Sequence, residues 1–183
     1  MAAFRQTGER LVHRGKVVSF HEATFVGPDG DPFDRDIVRH PGAVSIVPLL
    51  DDGNVVMVRQ YRAALARELL EIPAGKLDVE GEPPLDCARR ELAEEVGYRA
   101  ERLDLLVTIA QTPGFCDELN HIYLGRDLSV VPSQAHGVEE THMTIEHVPL
   151  REVPSLIAAG ELIDAKSIVG LMLSLDRLAS EHS

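Results

Sequence analysis

Apolar residues in the first half of the chain fall in short, β-branched runs broken by glycine, proline and aspartate. Val17–Phe25 and Pro32–Arg39 flank Gly27-Pro28-Asp29-Gly30, a turn signal that predicts a hairpin. Ala43–Leu50 and Val55–Tyr61 flank Asp51-Asp52-Gly53-Asn54 and predict a second hairpin. That tetrapeptide resembles the opening of a calcium loop, but the later ligands and closing glutamate are missing, so it reads as a turn. A short apolar piece, Leu69–Ile72, precedes a loop from Pro73-Ala74-Gly75 to Glu82. The period then changes. Pro83 and Pro84 suit a helix's first turn, where a missing N–H costs nothing. Leu85, Ala88, Leu92 and Val96 recur at helical spacing, and Gly97 supplies the stop. Strands are expected at Leu103–Ala110, Asn120–Leu128 and Met143–Val148, with a polar loop over Ser129–Glu140. Helices around Arg151–Ala159 and Ala165–Ala179 end the pattern; the second presents Ile168, Val169, Leu171, Met172, Leu175 and Leu178 on one face. The order describes a mixed α/β domain over residues 41–183, preceded by an antiparallel β extension over residues 1–40.

Composition narrows the classes. The 183 residues are 44% hydrophobic and 26% charged, an ordinary soluble balance with enough chain for a large core. Lys plus Arg number 18 against 30 Asp plus Glu, a net charge of -12. Phosphate backbones and anionic membranes need a basic face, so a nucleic-acid or membrane-surface binder is excluded. No apolar run approaches the ~18 residues of a membrane span, and Met1–Arg10 lacks a signal peptide's apolar stretch. Cys87 and Cys116 fit neither a zinc pattern nor a disulfide framework. The expectation is a reduced, cytoplasmic enzyme or binding protein.

The acidity is concentrated: Glu68 to Asp104 carries eleven carboxylates. Such a run is ordinarily a solvated face, but hard divalent cations also need clustered carboxylate oxygens. In Arg90-Glu91-Leu92-Ala93-Glu94-Glu95-Val96-Gly97, the residues Glu91, Glu94 and Glu95 stand at i, i+3 and i+4 and share one helical stripe. On the stripe alone the solvated reading wins.

The flanking residues change the balance. Gly75, Glu82 and Arg90-Glu91-Leu92-x-Glu94-Glu95-x-Gly97-Tyr98 resemble the Nudix box, G-x5-E-x7-R-E-U-x-E-E-x-G-U with U apolar. One departure is that six residues, not five, separate Gly75 from Glu82; the extra residue falls in the loop Lys76–Gly81, ahead of the helix. The resemblance covers roughly Arg39 to Leu173. It implies a Nudix α/β/α sandwich with a mixed sheet, an N-terminal β extension exchanged across a homodimer, and hydrolysis of a nucleoside diphosphate linked to another group. It also implies Mg²⁺ or Mn²⁺ held by Glu91 and Glu95, with Glu94 close behind and the Ala74 backbone carbonyl as a further ligand. Glu82 and Arg90 would support those ligands, Arg90 by pairing with Glu82. Physically, a cation bridging carboxylates to phosphate offsets the repulsion between an acidic protein and an anionic substrate.

Leu70-Glu71-Ile72-Pro73-Ala74-Gly75, Arg59-Gln60-Tyr61-Arg62 and Thr112-Pro113-Gly114-Phe115 resemble segments of the ADP-ribose pyrophosphatases. Pro113 lies fifteen residues past Tyr98, the position that marks that group. The resemblance makes ADP-ribose the expected substrate, split to AMP and ribose 5-phosphate. Another nucleoside diphosphate sugar or a dinucleotide is the alternative, and a non-catalytic ADP-ribose sensor stands third, disfavoured by the intact glutamates. Arg39 and Arg62, with Pro113 and Phe115, are candidate substrate contacts, since arginine forks onto phosphate. Exposed strand arginines are the bland reading, at even weight. Phe25 and Phe33 could stack on adenine, although strand phenylalanines are more often core. The eight histidines show no metal spacing. Relatives supply the catalytic base from a late loop; here Ser133–His142 offers Glu139 and Glu140, with Glu139 slightly favoured by register and Glu94 the next candidate.

Overall fold

Six consecutive buried residues make β4 (Ala43–Pro48) the centre of the larger of two compact units. A strand buried on both faces reads as a continuous apolar run, as Ala-Val-Ser-Ile-Val-Pro does. The computed structural model describes residues 3–133 and 141–181. In chain order the strands are β1 (Arg5–Arg14), β2 (Ser19–Val26), β3 (Pro32–Arg39), β4, β5 (Asn54–Arg62), β6 (Arg67–Glu71), β7 (Ala74–Lys76), β8 (Tyr98–Ala110), β9 (Leu119–Val130) and β10 (Thr144–Pro149). The helices are α1 (Pro84–Val96), α2 (Val153–Ala158) and α3 (Ala165–Glu181). Among the described residues no helix is long and apolar enough to cross a membrane.

One unit comprises the chain up to Gly42 together with Ala110–Leu119. Its sheet runs β1-β2-β3, all antiparallel, and the β2–β3 hairpin closes where the glycine-proline turn predicts it. The strand β1 was not legible beforehand, because all ten of its residues are exposed and no apolar alternation marks it. Phe25 and Phe33 face each other across the hairpin with ring centroids 5.6 Å apart. The loop Ala110–Leu119 adds to this unit through Val38, whose N–H donates to the Phe115 carbonyl at 2.7 Å.

The other unit, Ala43–Ile109 with Asn120 onward, holds two sheets. A mixed one runs β7-β4-β9-β8, with β4 parallel to β9, and an antiparallel one runs β10-β5-β6. The expected β4–β5 hairpin is therefore corrected. Its turn forms, with Leu50 N–H donating to Asn54 O at 2.9 Å, but the two strands enter different sheets and their backbones pair only at the Leu49–Val55 bridge. Both edges of β4 are taken by β7 and β9, so β5 has to pair elsewhere. Alternation then feeds two cores. Val44, Ile46, Val56 and Val58 pack with Cys87, Ala88, Leu92 and Val96 of α1. Val47, Val55, Met57 and Ile122 pack with Leu171 of α3 and Val153 of α2. Gly170 lets α3 approach closely, since a Cβ there would stand 2.9 Å from Ile122 Cγ2. Met172, expected on the apolar face of α3, is exposed instead, because it lies off the stripe that Leu171, Leu175 and Leu178 follow.

Candidate active site

The helix α1 is set by its punctuation. Pro84 opens it, and Gly97 ends it in the left-handed region at φ 70°, its N–H donating to the Ala93 carbonyl at 3.1 Å. These stops set the span of the helix, and its buried residues Leu92 and Val96 set which face the glutamates occupy.

The stripe is not a solvated face. Glu95 is only 5% exposed, and the Glu91 and Glu82 side chains are each 14% exposed. Carboxylates at that depth need compensating charge or donors. Glu95 Oε2 accepts the Ala74 N–H at 3.0 Å, tying the helix to the strand that carries the box glycine. Arg90 supplies the charge. Its Nε and Nη2 donate to the two Glu82 oxygens at 3.0 and 2.9 Å, and its Nη1 donates to Glu91 at 2.8 Å and Glu94 at 3.0 Å. The hydrogen bonds from Arg90 hold the Glu82 carboxyl below its ordinary range, and those same bonds raise Arg90 further. Burial, with Glu91 and Glu82 nearby, pushes the Cys87 thiol up to about 12, which keeps it in the neutral form.

Glu91 lies directly over Gly75, where an added Cβ would fall 1.9 Å from Glu91 Cδ. The missing side chain is thus a cradle for the carboxylate. Its neighbours on the α1 stripe, Glu94 and Glu95, are also carboxylates, hard oxygen donors that suit Mg²⁺ or Mn²⁺ and not a soft ion. Among the described residues no three His, Cys, Asp or Glu side chains converge on one point; Glu91 and Glu94 instead share the Arg90 guanidinium.

Of the residues singled out by sequence, Ala74, Glu82, Arg90, Glu91, Glu94 and Glu95 come together here. Arg62, at the end of β5, is bound to Glu71 through Nε at 2.6 Å and Nη2 at 2.5 Å, and these bonds raise its basicity. Arg39, Pro113 and Phe115 belong to the other unit. There Arg39 donates to both Glu9 oxygens, at 3.0 and 2.7 Å, and to Asp117 at 3.0 Å. Pro113 sits in a turn closed by Cys116 N–H to Thr112 O at 3.0 Å, and Phe115 is exposed. Glu139 and Glu140 lie outside the described residues. Sequence reasoning passed over Glu71, Asp117 and Lys166. The legible signal for Lys166 was a lysine in a helix's first turn, where the dipole disfavours a cation.

The NUDIX domain family model matches residues 39–168. The ADP-ribose pyrophosphatase of Bacillus subtilis is 38% identical over 156 residues, 85% of this chain and 84% of that protein. The methanol dehydrogenase activator of Bacillus methanolicus is 36% identical over 171 residues, 93% of this chain and 92% of its own. A crystal structure described as an ADP compounds hydrolase superposes with a TM-score of 0.84 over 99% of this chain and 97% of that one, at 22% identity.

Proposed function

Because the chain belongs to the NUDIX domain family, we propose that this hydrolase cleaves the pyrophosphate of ADP-ribose to AMP and ribose 5-phosphate. The observation that carries the reading is the burial of the α1 carboxylates around Arg90 and over Gly75. Glu95 is buried and Glu91 and Glu94 are partly buried, at a cost that a merely structural helix face would avoid. The 38% identity to an ADP-ribose pyrophosphatase over most of both chains supports the choice of substrate. Another nucleoside diphosphate sugar or a dinucleotide is the second reading, since a relative of nearly equal identity is not named for ADP-ribose.

In this proposal Glu91 and Glu95, with Glu94 and the Ala74 carbonyl, hold Mg²⁺ or Mn²⁺. The bound metal would polarise the phosphate and lower the pKa of attacking water. Glu82 holds Arg90, and Arg90 in turn orients Glu91 and Glu94. The Ala74 N–H holds Glu95 against β7. Arg62 is assigned to the diphosphate, and Arg39, Pro113 and Phe115 are the further candidate substrate contacts. Glu139 takes the proton from water, with Glu140 next in line.

A homodimer through the β1-β2-β3 sheet completes the proposal. Ala23 is the only hydrophobic residue of that sheet fully buried among the described residues, while Phe4, Leu11, Val12, Val17 and Val18 stand exposed on or beside it. Two free cysteines support a reducing, cytoplasmic setting. The test is a substrate panel of ADP-ribose, NADH, UDP-glucose and diadenosine polyphosphates, each with and without Mg²⁺. ADP-ribose should lead in kcat/KM, and activity should vanish with chelator. Turnover of another compound at tenfold higher kcat/KM would replace the substrate and leave the chemistry standing.

A further inference from the structure

Lys166 occupies the first turn of α3 and is 6% exposed, in a place where both the helix dipole and burial oppose an ammonium. Two carboxylates offset that cost. Lys166 Nζ donates to Glu71 Oε2 and, at 2.9 Å, to Asp164 Oδ2. Glu71 is wholly buried and also accepts the bidentate fork of Arg62. The cluster holds two positive and two negative groups and closes on itself without net charge. It is also tied to the backbone. Asp164 accepts the Ser167 N–H at 3.0 Å, capping α3, and the Ser167 hydroxyl accepts the Ile72 N–H at 2.9 Å.

One member reaches the surface. The Arg62 side chain is 41% exposed, against 1% for Glu71 and 7% for Lys166. Both of its bonds to Glu71 use the Nε–Nη2 edge, so among the described residues Nη1 carries no bond. A guanidinium fixed along one edge offers the other in a set plane, which is what a phosphate fork requires. Lys166 keeps that arrangement in balance. Without it, Glu71 and Asp164 would share a single guanidinium, and Arg62 would be drawn toward the buried acids.

We propose that Lys166 is a positioning residue for substrate binding: acting through Glu71, it fixes Arg62 so that the outer guanidinium edge receives a phosphate of the nucleoside diphosphate. The inference rests on the assignment of Arg62 to the diphosphate made above.

The test is steady-state kinetics with ADP-ribose and saturating Mg²⁺ on Arg62→Ala, Lys166→Met, Lys166→Gln and the double variant Arg62→Ala/Lys166→Met. KM is the deciding quantity because it does not depend on the fraction of protein folded; Lys166→Gln, which keeps a donor and loses the charge, stands in if Lys166→Met is insoluble. Each single variant should raise KM about tenfold, the worth of one charge-assisted hydrogen bond. The kcat per folded molecule should change much less. The double variant should be no worse than Arg62→Ala, since Lys166 acts only through Arg62. A raised KM in Arg62→Ala with a normal KM in both Lys166 variants would overturn the inference while leaving the Arg62 assignment intact. So would a double variant near a hundredfold, which would mean independent roles. A normal KM in Arg62→Ala would remove the assignment itself, and the inference with it.

Discussion

Gly75 and Glu91 are packed so closely that the glycine's missing side chain defines where the glutamate can lie: a β-carbon on Gly75 would meet Glu91 Cδ at 1.9 Å. Gly75→Ala should therefore displace the Glu91 carboxylate and leave the fold standing, because Glu91 is the only side chain in the way among the three nearest atoms. Glu91→Gln removes the charge without moving the chain. Both should lower kcat by ~10²-fold, the scale of losing one key electrostatic group. Gly75→Ala should also raise the Mg²⁺ concentration needed for half activity by about 10–100-fold. Metal titrations near wild type for both variants would remove Glu91 from the ligand set.

Glu139 is expected to be the base. A positioned base contributes ~10²–10⁴-fold, so Glu139→Gln should lose that much kcat while Mg²⁺ binding, followed by calorimetry, stays unchanged. A loss confined to Glu140→Gln would move the base by one residue. If neither variant loses more than a few-fold, Glu94 is next to be tested.

The pH dependence of stability has a sign that Glu9 sets. Its hydrogen bonds from Arg39 hold the carboxyl at about 2, against an ordinary 4.5. A carboxyl depressed in the folded state stabilises fully above its unfolded value and loses that contribution as pH falls through the folded one. The difference in Tm between wild type and Glu9→Gln should thus be greatest near neutrality, shrink below pH 4.5 and be gone by about pH 2. A difference that stays constant across that window would show that the pair does not form in solution.

The exposed apolar residues of the first sheet lead to a fourth expectation. Leu11 and Val12 are each 44% exposed on β1. If they meet a second copy, Leu11→Glu with Val12→Glu should halve the mass seen by sedimentation. An unchanged dimer, or a monomeric wild type, would exclude this sheet as the interface.

What the sequence revealed was what is encoded locally. The span of α1 was readable because prolines, a glycine and a helical period lie within one short stretch, and the box residues lie on that same stretch. The strand β1 was not, because a strand exposed on both faces leaves no alternation to read. The turn before β5 was right and its pairing was wrong, since the same turn serves a hairpin or a chain changing sheets. Glu71 and Lys166 stand 95 residues apart, and Arg39 and Asp117 stand 78 apart. No periodicity reports on partners at that distance; only the tertiary fold pairs them.

The grouping of Ala110–Leu119 with the first unit has a bearing on how such a protein can be recombined. The chain leaves the catalytic unit after Ile109 and re-enters it at Asn120, so the N-terminal unit is encoded by two separated stretches. A crossover near Gly42 that imports a foreign N-terminus would retain the native loop, whose Asp117 receives the Arg39 guanidinium and the His40 N–H. Chimeras between relatives should then express and fold well only when both stretches come from one parent, which makes the unit heritable as a pair of segments and not as a leading module.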